Sequence, residues 1–308
     1  YIPSGAYMKS GMSITIIVVP IMAVILSAMG VYGDVEGLTI VVTFPNLAED
    51  VKLLTCNNDE VISLVPSGVD PHEYQLRAKD IELLRKADVI ISTGHAPFEV
   101  KIRNLVAEGE LKGKLIEVLN LENLTILKNP ATNRENYHMP IYDPKNYKKF
   151  LKVVAETLSK LNSAERTCYM KNYRRVEKLI DELLDSTPRV KLRAVVDTPI
   201  IQYAIEWLGI EIVHLVVREH EAPVLPDDVV KAEYLVREHK VELVIVTEPP
   251  TSRESQYLLI LAEKYDLPVL RVPSPIAPNS TLNKLLEISR NFREVLVLYT
   301  QVNREDMY

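Results

Sequence analysis

Short apolar runs alternate with amphipathic stretches through most of the chain. Eight of these runs are rich in Val and Ile, are only a few residues long and end at polar or turn-forming residues, which is typical of buried strands. The runs cover residues 38–43, 60–65, 88–92, 114–118, 193–196, 211–216, 242–246 and 268–272. Most of the segments between these runs have apolar residues at helical spacing, which predicts helices. A repeated strand–helix–strand order predicts parallel sheets with right-handed crossover connections.

Two long helical patterns interrupt this alternation near the middle of the chain. They cover Pro144–Leu161 and Ala164–Asp185 and contain no glycine. The second is long enough, on the order of 30 Å, to run beside both halves and to join them. We therefore predict an α/β fold of two lobes with mainly parallel sheets flanked by helices, joined by one long backbone helix. The predicted limits are 34–162 for the first lobe, 163–188 for the helix and 189–308 for the second lobe.

The first 33 residues have a different pattern. Lys9 is the only charged residue before Asp34, and Ile14–Leu26 is almost wholly apolar. A short positive region followed by an apolar core is the layout of a secretory signal, and the uncharged run is also about long enough to cross a bilayer. We predict that residues 1–33 are a signal peptide or a membrane anchor, and that the folded part is extracytoplasmic. A buried core helix is the alternative.

Composition narrows the classes of function. The formal net charge is −6 and there is no basic tract, which argues against a nucleic-acid-binding protein. Only 10 glycines occur in 308 residues, and no glycine-rich phosphate-binding motif is present. The two cysteines, Cys56 and Cys168, are too few for a cysteine-rich zinc site, although one isolated disulfide is compatible with them.

Three histidines fall in predicted loops of the first half. His72 lies in a proline-rich loop after a strand, His95 follows the strand at 88–92, and His138 precedes a long helix. Imidazole is the commonest transition-metal ligand in proteins, and these positions favour a metal site, although a loop histidine can also be a simple surface residue. His220, in a polar turn of the second half, is a further residue that could face the same cleft.

Two of these loops carry a family resemblance. The segment Ser63–Tyr74 (SLVPSGVDPHEY) resembles the signature of the zinc- and manganese-type solute-binding proteins of ABC transporters. Tyr137–Pro144 (YHMPIYDP) is similar to a second segment of that family. The resemblance implies that His72 and His138 are metal ligands in a cleft between two lobes. It also implies an extracytoplasmic receptor that delivers a divalent transition metal to a membrane permease.

The chain departs from the family pattern in its second half. Threonine and serine, Thr198 and Ser274, stand where the resemblance implies the remaining two ligands, and hydroxyls are weak zinc ligands. One hypothesis is a site rebuilt with Asp197, Glu248 and His95. The other hypotheses are an altered ligand, such as a chelated metal, and a protein that has lost binding and acts as an interaction partner.

We predict the metal ligands to be His72, His138, Asp197, Glu248 and His95. The alternative for each of the two acids is a structural role as a helix cap or turn residue. The expected cargo is zinc, manganese or iron, most favourably zinc or manganese, and the expected partner is an ABC permease, with a monomeric receptor. The sequence lacks the H-E-x-x-H and G-x-S-x-G motifs, so a metal-dependent hydrolase is a weaker alternative.

Overall fold

Two parallel four-stranded sheets form the framework of the protein. The computed structural model describes Tyr1, Gly5 and residues 36–69, 73–219 and 222–305. The first sheet has the strand order β2-β1-β3-β4 and the second the order β6-β5-β7-β8, and every pair within them is parallel. The strands are β1 (Thr39–Val42), β2 (Glu60–Ser63), β3 (Val89–Ser92), β4 (Lys114–Glu117), β5 (Leu192–Val196), β6 (Ile210–Leu215), β7 (Leu243–Glu248) and β8 (Val269–Pro273).

Nine α-helices occur in the part of the chain that the structure describes. They are α1 (Pro45–Lys52), α2 (Ala78–Lys86), α3 (Pro97–Ala107), α4 (Pro144–Leu161), α5 (Arg166–Ser186), α6 (Gln202–Glu206), α7 (Pro226–Arg237), α8 (Arg253–Lys264) and α9 (Thr281–Glu305). Most of them follow a strand and cover one face of a sheet, as parallel sheets require.

The predicted strands are confirmed in all eight cases, and the central strands β1, β3, β5 and β7 are the most completely buried. β3 is the clearest example, since its residues are all buried and Ile90 and Ile91 have no exposed surface. Helix α4 is the first of the two predicted long helices, and it begins directly after Asp143. The Asp143 side chain accepts hydrogen bonds from the backbone N–H groups of Lys145 and Asn146 at 2.9 Å and so caps that helix.

Helix α5 is the predicted long helix between the lobes. It has 21 residues and comes after the last strand of the first sheet and before the first strand of the second. The fold class is therefore confirmed, whereas the residue limits given above for the lobes stay a prediction. The helix buries a stripe of five side chains at helical spacing, namely Tyr169, Tyr173, Val176, Ile180 and Leu183. A disulfide joins Cys168 of this helix to Cys56, which follows α1. Stable disulfides are typical of oxidising compartments.

The two lobes are joined by buried polar contacts as well as by α5. The described residues from Gly37 onward form one compact unit. Asp50 of α1 accepts hydrogen bonds from Thr281 N at 2.6 Å and Thr281 Oγ1 at 2.7 Å, at the start of α9. Tyr147 donates to the same carboxylate at 2.7 Å. Burial raises the pKa of Asp50 to about 6 and lowers the pKa of the nearby Lys284 to about 8.

The predicted signal or anchor at residues 1–33 lies almost wholly outside the described residues. Within the part that the structure describes, no helix is long and apolar enough to cross a membrane.

Candidate metal site

The candidate site lies at the carboxyl ends of the strands, where a parallel sheet binds ligands at the point at which its strand order reverses. In the first sheet this point lies between β1 and β3, which Phe44 and His95 follow. In the second sheet it lies between β5 and β7, where Asp197 and Glu248 stand. The strand ends at these two points therefore carry residues of different chemistry in the two lobes.

His95 is held by a buried carboxylate from the helix that follows it. Glu99, in the first turn of α3, has no exposed surface and accepts hydrogen bonds from the backbone N–H groups of His95 and Ala96, both at 2.9 Å. It also accepts from Thr93 N at 2.8 Å and from Thr43 Oγ1 at 2.7 Å, which links the ends of β3 and β1. Glu99 therefore fixes the backbone that presents the imidazole.

The residue before His95 explains the sharpness of this turn. Gly94 has a φ of +83°, a conformation that L-residues with a side chain rarely adopt. A Cβ atom at this position would lie 3.3 Å from an Arg103 side-chain nitrogen, which is tight. That nitrogen donates to the Gly94 carbonyl at 2.9 Å, while Arg103 also pairs with Glu117 at 2.8 Å. The loop is thus fixed from both of its ends.

His138 is oriented by the amide of Asn136. The imidazole Nδ1 lies 3.0 Å from Asn136 Oδ1, which also accepts from the backbone N–H of His138 at 3.1 Å. Because an amide oxygen only accepts, Nδ1 carries the proton, and the lone pair for a metal is on Nε2. The next residue, Met139, has a φ of 49° and is buried, so the backbone of the loop is held in a conformation that costs free energy.

Asn136 also fastens this loop to the second lobe. Its Nδ2 donates to the Pro199 carbonyl at 2.9 Å and to Gln202 Oε1 at 2.8 Å. Its own carbonyl accepts from the Tyr203 hydroxyl at 2.6 Å. Asn136 is 3% exposed, so these bonds form away from competing water. The second lobe therefore positions His138 indirectly, through the segment 199–203.

The imidazoles of His95 and His138 meet at the cleft. Their ring centroids are 4.7 Å apart with an interplanar angle of 76°, and both rings line one cavity of about 70 Å³. Tyr137 stands beside them, its ring centroid 6.3 Å from that of His95. His72, the remaining predicted imidazole ligand, lies outside the described residues, as does His220.

Asp197 is turned into the second lobe instead. Its Oδ2 accepts from Thr247 N at 2.7 Å and from Ser255 Oγ at 2.6 Å, so it joins the end of β7 to the first turn of α8. It is 1% exposed, and burial raises the pKa of its carboxyl. These bonds favour the alternative role for Asp197, a structural acid in the turn after β5, and its role as a ligand stays a prediction.

Glu248 is also engaged elsewhere. Its carboxylate forms an ion pair of 2.9 Å with Arg271 on the neighbouring strand, in a half-exposed position. Its backbone carbonyl accepts from Ser274 N at 2.9 Å. The ion pair favours a structural role for Glu248 in the same way, since this residue does not line the cavity of the two imidazoles, and its role as a ligand stays a prediction.

Among the described residues, no aspartate or glutamate forms a three-donor cluster with the two imidazoles. The one such cluster in that part of the chain contains the disulfide-bonded Cys56 and Cys168 with Glu165. The second-lobe residues that line the cavity are Ile200, Pro275 and Ile276. The side of the cavity that they form is therefore apolar.

Sequence reasoning missed Glu99, which holds the backbone at His95, and Asn136, which orients the imidazole of His138. A weak signal existed for Glu99, an acid just inside a helix that starts with Pro97, where first-turn acids are common. No periodicity or spacing marks Asn136, because its role depends on contacts with the distant segment 199–203. The arrangement suits a transition metal: imidazole nitrogen binds zinc, nickel, copper and iron, and a histidine whose second nitrogen is hydrogen-bonded is a better-ordered ligand.

The sequence model of the family described as ZnuA, the periplasmic component A of a zinc-uptake complex, matches residues 40–279. This range includes both sheets and all the candidate ligands. Members of this family are metal-binding receptors and not enzymes.

Individual relatives are distant. The zinc-binding protein TroA of Treponema pallidum is 26% identical over 145 residues, which is 47% of this chain and 46% of TroA. The manganese-binding lipoprotein MntA of Halalkalibacterium halodurans is 24% identical over 192 residues, 60% of this chain and 62% of MntA. The solved structure of FpvC from Pseudomonas aeruginosa in complex with Mn²⁺ matches with a TM-score of 0.67 at 20% identity, covering 87% of this chain and all of that one. It shares the fold.

Proposed function

Since this chain belongs to the ZnuA family of metal-binding solute receptors, we propose that it binds one divalent transition metal in the cleft between its lobes and delivers it to an ABC permease. The observation that carries the proposal is the pair of imidazoles of His95 and His138. Their ring centroids are 4.7 Å apart, at the carboxyl ends of the strands of the first lobe. Asn136 accepts a hydrogen bond from Nδ1 of the His138 ring, and Glu99 accepts one from the backbone N–H of His95. A hydrogen bond at the second ring nitrogen is typical of a metal-ligating histidine.

The proposed ligand set is His72, His95 and His138, all from the first lobe. His72 is included on the family signature around it. Nitrogen donors favour zinc, nickel and copper over manganese, which prefers oxygen donors, so we propose zinc as a better cargo than manganese. Asp197 and Glu248 are left out because each already has partners in the second lobe.

We also propose that the receptor works outside the cytoplasmic membrane as a monomer. The family description as periplasmic and the disulfide between Cys56 and Cys168 support the location. Delivery to a permease is the role of receptors of this type, and uptake of labelled zinc by cells that lack the receptor gene would test it. Uptake should fall in those cells and return with the wild-type gene, and unchanged uptake would contradict delivery.

The direct test of binding is metal content. The full chain, purified in detergent without chelator, should carry close to one equivalent of metal by elemental analysis, or take up one equivalent of zinc on titration. Zinc should bind more tightly than manganese in competition. Absence of any bound metal, before and after titration, would contradict the proposed function and favour a protein that acts only as an interaction partner.

A further inference from the structure

A short turn of the second lobe forms part of the wall of the cavity that the two imidazoles line. Pro275 and Ile276 are the central residues of this turn, which follows β8 and is closed by a hydrogen bond of 3.1 Å from Ala277 N to the Ser274 carbonyl. Pro275 is buried, whereas Ile276 is 40% exposed. We call residues 274–277 the wall turn. Its position sets how closely the cavity is covered on the second-lobe side.

The wall turn is held by the buried side chain of Lys284, which lies on α9 and does not itself line the cavity. Lys284 is 1% exposed, and its ammonium donates a hydrogen bond of 2.7 Å to the Pro275 carbonyl. The hydrogen bond that closes the turn uses the carbonyl of Ser274, so the carbonyl of Pro275 is available to accept this second bond. Lys284 therefore fixes the wall turn to α9.

The charge of Lys284 is offset by Asp50, a buried acid of the first lobe. A lysine is almost never fully buried unless it is paired with another group. Asp50 accepts hydrogen bonds from N and Oγ1 of Thr281, which lies three residues before Lys284 on the same helix. Burial lowers the pKa of Lys284, and the attraction of the Asp50 carboxylate opposes this shift. Lys284 therefore connects the contact between the lobes to the wall turn.

A second bond ties the same turn to the first lobe. The buried hydroxyl of Tyr142 donates a hydrogen bond of 2.7 Å to the carbonyl of Pro273, directly before the wall turn. Tyr142 ends the short helical turn Pro140–Tyr142, four residues after His138. The turn is thus held at two neighbouring carbonyls, and the first lobe contributes to both bonds, directly through Tyr142 and indirectly through Asp50.

We propose that Lys284 is a positioning residue of the metal site, which holds the wall turn against the cavity and so slows the escape of a bound metal ion. The apolar residues around a metal site control the access of solvent to it. A wall turn released from Lys284 would admit more water beside the imidazoles of His95 and His138, and water replaces the protein ligands when an ion leaves. This inference rests on the proposed function and adds a residue that sets the rate of metal release.

The test measures the rate at which zinc leaves the protein. The full chain, purified in detergent and loaded with zinc, would be mixed with an excess of a colour-forming chelator in a stopped-flow instrument. In Lys284→Met we expect release to be at least about tenfold faster than in the wild type, the size of effect that is usual for residues that support a metal site. Loss of a positive charge alone would hold the cation more strongly and slow its release, so the expected change has the opposite sign.

Lys264→Met is the matched control. Lys264 is also a lysine of the second lobe, but it is exposed on α8, where it pairs with Glu233 at 4.0 Å, and it does not line the cavity. Zinc should leave this variant at the wild-type rate. Hydrogen exchange of the Ala277 amide, which closes the wall turn, is the second measurement. It should become faster in Lys284→Met and stay unchanged in Lys264→Met.

A double variant separates the position of the turn from the charge of Asp50. Lys284→Met leaves this buried acid without its counter-charge, whereas Asp50→Asn combined with Lys284→Met removes both charges, a change that often costs little stability. Zinc release from the double variant should also be at least about tenfold faster than in the wild type, because the Pro275 carbonyl still lacks its donor.

The outcomes are distinct. If Lys284→Met speeds hydrogen exchange of the Ala277 amide but releases zinc at the wild-type rate, Lys284 serves only the fold and the inference is wrong. The inference is also wrong if the double variant releases zinc at the wild-type rate, since the effect of the single change would then come from the unpaired Asp50. In both cases zinc still binds and the proposed function stands. If the wild-type chain binds no zinc, the proposed function itself fails.

Discussion

The two lobes have the same architecture but present different chemistry at the cleft. In the first lobe, the residues after the strands are held so that imidazoles reach the cavity, with Glu99 supporting His95 and Asn136 supporting His138. In the second lobe, the acid after β5 is Asp197, and it turns inward to bind Ser255. By strand order β3 corresponds to β7, so the strand end that precedes His95 in the first lobe corresponds to the one that carries Glu248 in the second. Glu248 is paired with Arg271, whereas His95 lines the cavity.

The largest effect should come from a first-lobe ligand. His138→Ala should weaken zinc binding by at least about 100-fold, because it removes a metal bond, and even second-layer changes cost 10- to 100-fold. Isothermal titration would measure it. His239→Ala is the matched control, since His239 is exposed at the end of α7. If the His138 variant bound zinc as tightly as the wild type, His138 would not be a metal ligand.

The contact between the lobes should show itself in the pH dependence of stability. The pKa of Asp50 is about 6 in the folded chain and 3.8 as an isolated side chain, so the folded state holds its proton more tightly. The stability from this group is fully present below about pH 4 and is lost as the pH rises through 6, on the order of 3 kcal/mol in total.

Urea unfolding at several pH values between 4 and 7 would measure this effect. In Asp50→Asn, the fall in unfolding free energy across that range should be smaller than in the wild type, because the titrating group is gone. Glu49→Gln is a neighbouring control at a half-exposed acid that pairs with Lys52. Identical pH profiles for Asp50→Asn and the wild type would mean that Asp50 has its ordinary pKa in the folded protein.

A change in the second-lobe acid should affect folding and not binding. Asp197→Ala leaves Thr247 N and Ser255 Oγ without their acceptor, and we expect a loss of about 2 kcal/mol in unfolding free energy. Zinc affinity, measured below the unfolding transition, should stay within about twofold, well below the loss of a metal ligand. If zinc affinity fell as far as in His138→Ala, Asp197 would be a metal ligand, and the second lobe would contribute to the site as the first lobe does.

A smaller effect is expected from the residue that orients a ligand. Asn136→Ala should weaken zinc binding by about tenfold, as is usual when a ligand loses its hydrogen-bond partner. Asn136→Asp keeps an acceptor for the imidazole Nδ1 and should recover most of the affinity. Equal losses in both variants would show that the effect comes from the lost contacts with Pro199 and Gln202 and not from the orientation of His138.

The smallest effect should come from Glu248. Because its carboxylate pairs with Arg271 in a half-exposed position, Glu248→Gln should change stability by less than about 1 kcal/mol. Zinc affinity should change by less than about twofold. A larger loss of affinity, with stability unchanged, would place this carboxylate at the metal.

The sequence was sufficient for the fold because its signals are local. All eight strands are apolar runs that stand out from their surroundings, and the helix that joins the lobes has a clear stripe from Tyr169 to Leu183. His138 could be found as a candidate because it lies in a recognisable segment.

The roles of the acids could not be read in the same way. Asp197 and Glu248 were chosen as candidates because they stand at strand ends, and position along the chain does not reveal direction. Their orientation is set by Ser255 and Arg271, which lie 58 and 23 residues away. Glu99 and Asn136 were missed for the same reason, since their importance comes from the backbone groups that folding brings to them.

The hydrogen bonds between Asp50 and Thr281 restrict how the protein can move. Rotating the lobes apart would pull this carboxylate from the first turn of α9 and leave a buried acid without its donors, which is costly. Large hinge opening is therefore disfavoured. On the function proposed above, a bound metal would leave by displacement of the short loops around His95 and His138, so that the empty and loaded forms would differ locally instead of in the angle between the lobes.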